Sequence, residues 1–463
     1  MSESHYWSIR RLGEAYRSGE TTPTAAIGAL LQRIETEDRR LHAYAHLAPA
    51  LALAQAEQAE RELAAGFDRG PLHGIPIGVK DLCATRDMPT YAGMPRLGPF
   101  MRGEDATVVA RLRQAGAVIP GKLQMTEGAV GLHHPDVIPP VNPWGAELWT
   151  GVSSSGSGAA PAAGLCQASL GSDTGGSIRF PSSCCGLTGL KPTYGRVSLK
   201  GVFPLGESLD HIGPMARSAE DVALVLSAIA GPDPADPSTV FAPPPDYAAL
   251  LSGSLAGIPL GIDRDLVTKD VDAEVATAVL AGAQVFGELG ALPTPIVFPN
   301  LSDLAQVGAG MAAEMALAHA DMFPSHAEAY GPVLRTMLER SQGVSGKDVV
   351  LAQRGRQALR RKIEAMLAVT PLVLLPAIPF VTPSAAAGWA MMSEHEGQIR
   401  ATRFTMLFDL TGHPTITLPC GFDRRGAPIG LQLIGRALDE PLLLRAAHAF
   451  QQITDFHTRR PPL

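Results

Sequence analysis

A chain of 463 residues, 46% hydrophobic and 18% charged, has the proportions of a globular protein with a substantial core, which excludes a disordered chain or one dependent on staples. A net charge of −7 leaves no basic footprint of the kind that nucleic-acid binding needs, so the expected partner is a small molecule. The five cysteines, at 83, 166, 184, 185 and 420, form no C-x-x-C pair, the start MSESHYWSIRRLGEAYRSGE is polar, and no apolar run reaches membrane-spanning length; together these predict a cytoplasmic protein without a disulfide framework.

From Ala25 to Arg61 apolar residues recur at helical spacing, as at Ile27, Leu30, Leu31 and Ile34, which predicts an amphipathic helical start. The runs IPIGV (75–79) and AVIP (117–120) read as buried strands, with a helical stretch, TVVARLRQAG, between them. Alternation of this kind indicates an α/β architecture. Residues 150–177 are rich in Gly and Ser around the alanine-rich 159–164, which predicts a loop, a short helix and a second loop whose glycines admit a ligand close to the backbone. The Pro-rich 232–246 reads as a linker or long loop, and is followed by a strand at 257–263 and a helix from Val271 to Leu289. Residues 300–400 are helical in pattern, and 415–435 returns to strand-like runs, TITLPCGF and IGLQLIG.

The stretch Gly171–Gly186, GSDTGGSIRFPSSCCG, places Ser177 after two glycines, with Asp173 before it and Arg179 after it. Successive glycines let backbone N–H groups converge on one point, where they would stabilise a developing oxyanion. On the tripeptide alone, a Gly-rich turn with an exposed serine is the better reading. Upstream lie Gly151-Val152-Ser153-Ser154-Ser155-Gly156 and HGIPIGVKDL, which closes an apolar run with Lys80 and Asp81. A desolvated lysine loses its proton near neutral pH and can act as a base; a lysine pairing with a carboxylate at a strand end is the alternative.

Taken together, these segments resemble the amidase signature family of serine amidohydrolases. Gly171–Ser198 carries the likeness most densely, and HGIPIGVKDL, the NPW at 142–144, SLDHIGPMARSAEDVALVL (208–226) and FDLTGHPTITLPCGF with PIGLQLIGR (408–436) extend it; only 240–400 lacks a clear match. The resemblance implies a central mixed, twisted β-sheet covered by helices on both faces. It implies one domain over 1–463, with an N-terminal helical part to 65, a catalytic core over 66–230, a Pro-rich loop at 232–246, a variable pocket region at 247–400 and a C-terminal return to the core over 401–463.

The family's nucleophile falls on Ser177, its lysine on Lys80, and its bridging serine, 24 residues before the nucleophile, on Ser153. The resemblance also implies a cis peptide before Ser153. Val152 and Ser155 stand where the family carries glycine, so Ser154, which usually supports the loop, stays open as the bridging serine. Backbone N–H groups of Thr174, Gly175, Gly176 and Ser177 would form the oxyanion hole, and Asp173 with Arg179 a structural ion pair. No cofactor and no metal are implied. The expected substrate is a small amide, with a carbamate or ester, or service within a multi-subunit amidotransferase, as alternatives; the oligomeric state is open, with a homodimer as one option.

Other motifs carry less. GAVIPGK (116–122) resembles a phosphate-binding loop but is followed by Leu123 rather than the Ser or Thr that would meet magnesium, so it reads as a strand and turn. Ser177 is followed by Ile178 and Arg179, which breaks the G-x-S-x-G elbow of histidine-dependent hydrolases. His211 and His413 read as packed or surface histidines, while His133-His134 and Cys184-Cys185 lack zinc-ligand spacing. Met311, Met315, Met322 and Met391 read as core in preference to pocket lining.

Overall fold

The computed structural model describes residues 4–101, 103–299 and 307–463, so positions 300–306 of the stretch expected to be helical lie outside the described residues. The short apolar runs become strands: β1 (Tyr44–Leu47), β2 (Ile77–Lys80), β3 (Gly121–Leu123), β4 (Ala168–Asp173), β5 (Thr188–Lys191), β6 (His211–Ala216), β7 (Pro259–Ile262), β8 (Leu292–Pro295), β9 (Leu372–Pro376), β10 (Thr415–Phe422) and β11 (Pro428–Gly435). Among the described residues they form one sheet in the order β1-β3-β2-β4-β6-β5-β10-β11-β9-β7-β8. The sheet is mixed. β2 runs parallel to β3 and β4, and β7 parallel to β8 and β9, whereas β4/β6, β5/β6, β5/β10, β10/β11 and β9/β11 are antiparallel.

Every residue of β2, β4, β5, β6, β9 and β11 is buried, which requires cover on both faces. Leu170 of β4 packs in the main core with Val222 and Val225 of the helix Ala219–Ile229. On the other face, a Cβ at Gly171 would meet Ser154 Oγ and Ile178, which lie beside the helices Ser155–Ala162 and Arg179–Cys185. Alternation along one strand thus distributes two helical layers.

Several expectations need correction. The helical start is interrupted by β1, which separates the helices Pro23–Leu41 and Pro49–Ala64. The strand expected at 117–120 is formed at 121–123, although Val118 already exchanges backbone hydrogen bonds with Ile75 and Ile77. The region 150–177 holds a helix from Ser155 to Ala162, earlier than expected, and then β4 in place of the second loop. Its glycines admit protein backbone: a Cβ at Gly156 would stand 2.6 Å from Gln124 N and also collide with Ala43 O. Residues 307–400 are largely helical but contain β9, the continuous apolar run Leu372–Pro376. The Pro-rich loop is tied to the core, with Asp233 Oδ2 accepting from Thr107 Oγ1 and Ser198 Oγ, each at 2.6 Å.

Candidate active site

β2 and β4 are parallel neighbours with Val79 opposite Leu170, so Lys80 at the end of β2 comes beside Ser172 and Asp173 at the end of β4. The carboxyl ends of adjacent parallel strands are where α/β folds commonly place ligands. Lys80 is fully buried, and its Nζ lies 2.7 Å from Ser153 Oγ, 2.9 Å from Ser154 Oγ and 2.7 Å from Ser172 Oγ. Burial pushes its ammonium down to about 7, against a weaker opposing pull from Cys83, Asp173 and Asp210.

Ser153 and Ser154 precede the helix Ser155–Ala162, and the Val152–Ser153 peptide is cis. Ser153 O accepts from Thr126 N–H at 3.2 Å, which ties this loop to the segment after β3. The two hydroxyls have different surroundings. Ser154 Oγ donates to Ser172 O at 3.1 Å and accepts from Ser172 N–H at 3.2 Å, so its one proton is committed to the strand.

Ser177 sits on the turn between β4 and the helix Arg179–Cys185 and, like Gly175, is partly open to solvent. Asp173 organises the turn from below: its carboxylate accepts from Gly176 N–H at 2.6 Å, Ile178 N–H at 3.0 Å and Arg179 N–H at 3.3 Å. The Gly176 N–H, expected in the oxyanion hole, is therefore directed at Asp173, and the N–H groups of Thr174, Gly175 and Ser177 remain from the expected set. At φ +134° Gly176 needs to be glycine, and a Cβ there would stand 2.6 Å from Phe180 Cζ.

Asp173 and Arg179 form the expected ion pair, with Arg179 Nε 3.0 Å from Oδ2 and Nη2 2.8 Å from Oδ1, both side chains being fully buried. Burial pushes the Asp173 carboxyl up, and the Arg179 guanidinium outweighs it, holding the group well below the usual carboxylate range. Arg179 is also gripped from the C-terminal part of the chain: Nη2 donates to Asp409 Oδ2 at 2.6 Å and Nη1 to Thr405 O at 2.8 Å.

Four supporting residues were not anticipated from sequence: Ser172, Thr405, Asp409 and Asp210. Asp210, pushed up to about 6 by burial, accepts from Thr174 Oγ1 at 2.5 Å and from Leu205 N–H at 2.8 Å. Ser172 lies within GSDTGGSIRFPSSCCG and Asp210 within SLDHIGPMARSAEDVALVL, and the strand β4 is what sets Ser172 beside Lys80; Thr405 and Asp409 are too far along the chain for spacing to connect them with the turn.

His211 lies beneath the turn with Nδ1 3.2 Å from Asp173 O, and burial keeps it neutral. His413, pushed down to about 4 by burial, has Nδ1 3.0 Å from Thr411 Oγ1, and His133 Nε2 lies 3.0 Å from Ser155 Oγ. Lys122 of the phosphate-loop look-alike is turned inward, 3.3 Å from Asp81 Oδ1 and donating to Thr90 Oγ1 at 2.5 Å. All five cysteines are buried thiols. Met315 is core, Met311 and Met322 pack against the same core, and Met391 packs against a second apolar cluster that contains Trp149, Val152 and Phe180.

This arrangement coincides with a family match to Amidase over residues 25–444. The chain belongs to the amidase signature family. The putative amidase AmiD of Mycobacterium tuberculosis (strain ATCC 25618 / H37Rv) is 44% identical over 459 residues, covering 98% of this chain and 96% of that protein. A glutamyl-tRNA(Gln) amidotransferase subunit of Chloroflexus aggregans is 37% identical over 489 residues, covering 100% of this chain and 99% of its own. Among solved structures, a 6-aminohexanoate cyclic dimer hydrolase superposes with a TM-score of 0.90 at 26% identity, covering 100% of this chain and 99% of that one. The peptide amidase of Stenotrophomonas maltophilia superposes with a TM-score of 0.84 at 30% identity, with coverage of 100% and 99%. This amidase family member therefore shares its α/β fold with solved family enzymes. No helix among its described residues is long and apolar enough to cross a membrane.

Proposed function

We propose that this protein is a cytoplasmic serine amidohydrolase that cleaves a C–N amide bond of a small molecule through an acyl-enzyme, with Ser177 as nucleophile, Ser153 as proton relay and Lys80 as base. The observation that carries the reading is Lys80: a fully buried amine, held near 7 by desolvation, in contact with the Ser153 hydroxyl at 2.7 Å. An amine of that basicity exists substantially in its neutral form near pH 7, and neutral is what a proton acceptor must be.

As Ser177 Oγ attacks the carbonyl carbon, its proton passes to Ser153, and the Ser153 proton passes to Lys80. The negative charge that develops on the carbonyl oxygen is held by the N–H groups of Thr174, Gly175 and Ser177. Collapse breaks the C–N bond; the proton returns from Lys80 through Ser153 to the leaving nitrogen, and the amine departs. Water then attacks the ester by the same relay, releasing the acid and restoring Ser177. The commitment of the Ser154 proton to Ser172 O supports Ser153 as the relay and Ser154 as a brace.

The structural neighbours, a peptide amidase and a cyclic dimer hydrolase, favour amide cleavage as the reaction. The greater identity to the putative amidase than to the amidotransferase component favours action without partner subunits. The test is hydrolysis by the isolated protein across short aliphatic, aryl and peptide amides and carbamates, with mass spectrometry of the trapped acyl-enzyme. Amide turnover by the chain alone is expected. Turnover of carbamates or esters only, or activity that requires the other components of an amidotransferase, would replace this reading.

A further inference from the structure

The turn that carries Ser177 contains two adjacent glycines, the residue type with the least resistance to backbone rotation. The peptide unit between Gly175 and Gly176 is nonetheless held at both ends. Gly175 O accepts from Thr405 Oγ1 at 2.6 Å, and Gly176 N–H donates to Asp173 Oδ1 at 2.6 Å. Because a peptide unit is planar, fixing its carbonyl and its N–H on opposite sides fixes its orientation and thereby constrains the neighbouring Gly175 and Ser177 N–H groups.

Thr405 is itself immobilised. It is fully buried, and its carbonyl accepts from Arg179 Nη1 at 2.8 Å; a Cβ on Gly176 would approach its hydroxyl to 2.8 Å. The alternative acceptor for that hydroxyl, Thr402 O, is more distant at 3.3 Å.

We infer that Thr405 is a positioning residue for the oxyanion site, holding the Gly175 carbonyl away from the space where substrate negative charge develops. This rests on the Ser177 reading above. Without the Thr405 hydroxyl, the Asp173 contact alone opposes rotation of the Gly175–Gly176 unit, and a rotation that breaks it turns the Gly175 carbonyl oxygen toward the developing oxyanion. That repels the charge which the N–H groups would stabilise. Thr405 acts through this peptide unit and takes no part in proton transfer.

The experiment measures the rate at which a fluorophosphonate labels Ser177, since the phosphoryl oxygen of the reagent must enter the same site. Loss of a whole oxyanion donor costs about 10²–10³-fold, so Thr405→Val, which frees a peptide without removing a donor, is expected to label at least about tenfold more slowly. Thr405→Ser retains the hydroxyl and should stay within about threefold of the unsubstituted protein. The midpoint of the labelling-rate pH profile should be the same in all three proteins, because Lys80 and Ser153 are untouched. A defect in folding would lower the labelled fraction without changing the rate of the remainder; if Thr405→Val does not fold, Thr405→Ala is read in its place. Labelling of Thr405→Val at the unsubstituted rate, or equal slowing of the Val and Ser variants, overturns the inference. Failure of the unsubstituted protein to label on Ser177 overturns the reading beneath it.

Discussion

Lys80 Nζ lies 2.7 Å from Ser172 Oγ, a hydroxyl on the neighbouring strand. Hydroxyls that accept from an ammonium favour its charged form and oppose the desolvation that drives the proton off. A hydrogen bond to a charged group is worth about 1.5–3 kcal/mol, so Ser172→Ala should move the acidic limb of the pH–rate profile down by about one to two pH units. The plateau rate should fall as the amine loses an orienting partner. A limb that stays in place would show that Ser172 does not set the basicity of Lys80.

The proposed base is the neutral amine, so the rate should rise with pH through about 7, the value to which burial brings Lys80. Lys80→Ala should lower the rate by about 10²–10⁴-fold, and Lys80→Arg, permanently charged, should not restore it. Stability follows the same proton. The folded value lies below that of an unfolded lysine, so the unfolded chain binds more protons between the two, and stability is lost as pH falls from about 10.4 toward 7. Lys80→Met should therefore melt above the unsubstituted protein at pH 7, an outcome that calorimetry checks directly.

Arg179 is fully buried between Asp173 and Asp409. Asp409→Ala would leave Arg179 balanced one to one by Asp173 and would remove the hydrogen bond that Nη2 donates to Asp409 Oδ2 at 2.6 Å; a hydrogen bond to a charged group is worth about 1.5–3 kcal/mol. Asp409→Ala should lose stability on that scale in chemical denaturation, and labelling of Ser177 should weaken with it because Arg179 organises the turn. A stability within about 1 kcal/mol of the unsubstituted protein would show that Asp173 alone suffices.

Gly176→Ala tests the turn itself. At φ +134° any side chain is strained, and the added carbon would stand within 2.6 Å of Phe180. The variant should lose most of its Ser177 labelling, measured on folded protein isolated by gel filtration.

What the sequence disclosed depended on how each element is buried. β10 and β11 were legible because strands covered on both faces read as continuous apolar runs, TITLP and IGLQLIG. β4, ASLGSD, is equally buried but satisfies its serines and aspartate by hydrogen bonds, so nothing in its composition marked a strand. With β4 unread, Ser172 could not be placed beside Lys80. The glycines of 156 and 158 suggested a ligand, whereas they serve close packing against Gln124 and Pro181. The resemblance placed Lys80, Ser153 and Ser177 on particular residues, and the fold brings Ser153 to Lys80. Asp409 and Thr405 reach the turn only through the tertiary fold, being 230 residues from Arg179 and Gly175 respectively.

Ser177 is the proposed nucleophile. Intact-mass spectrometry after fluorophosphonate treatment tests it most directly: the unsubstituted protein should gain one adduct, mapped by peptide fragmentation to Ser177, and Ser177→Ala should gain none. An adduct of the same mass on Ser177→Ala would show that the nucleophile is another residue.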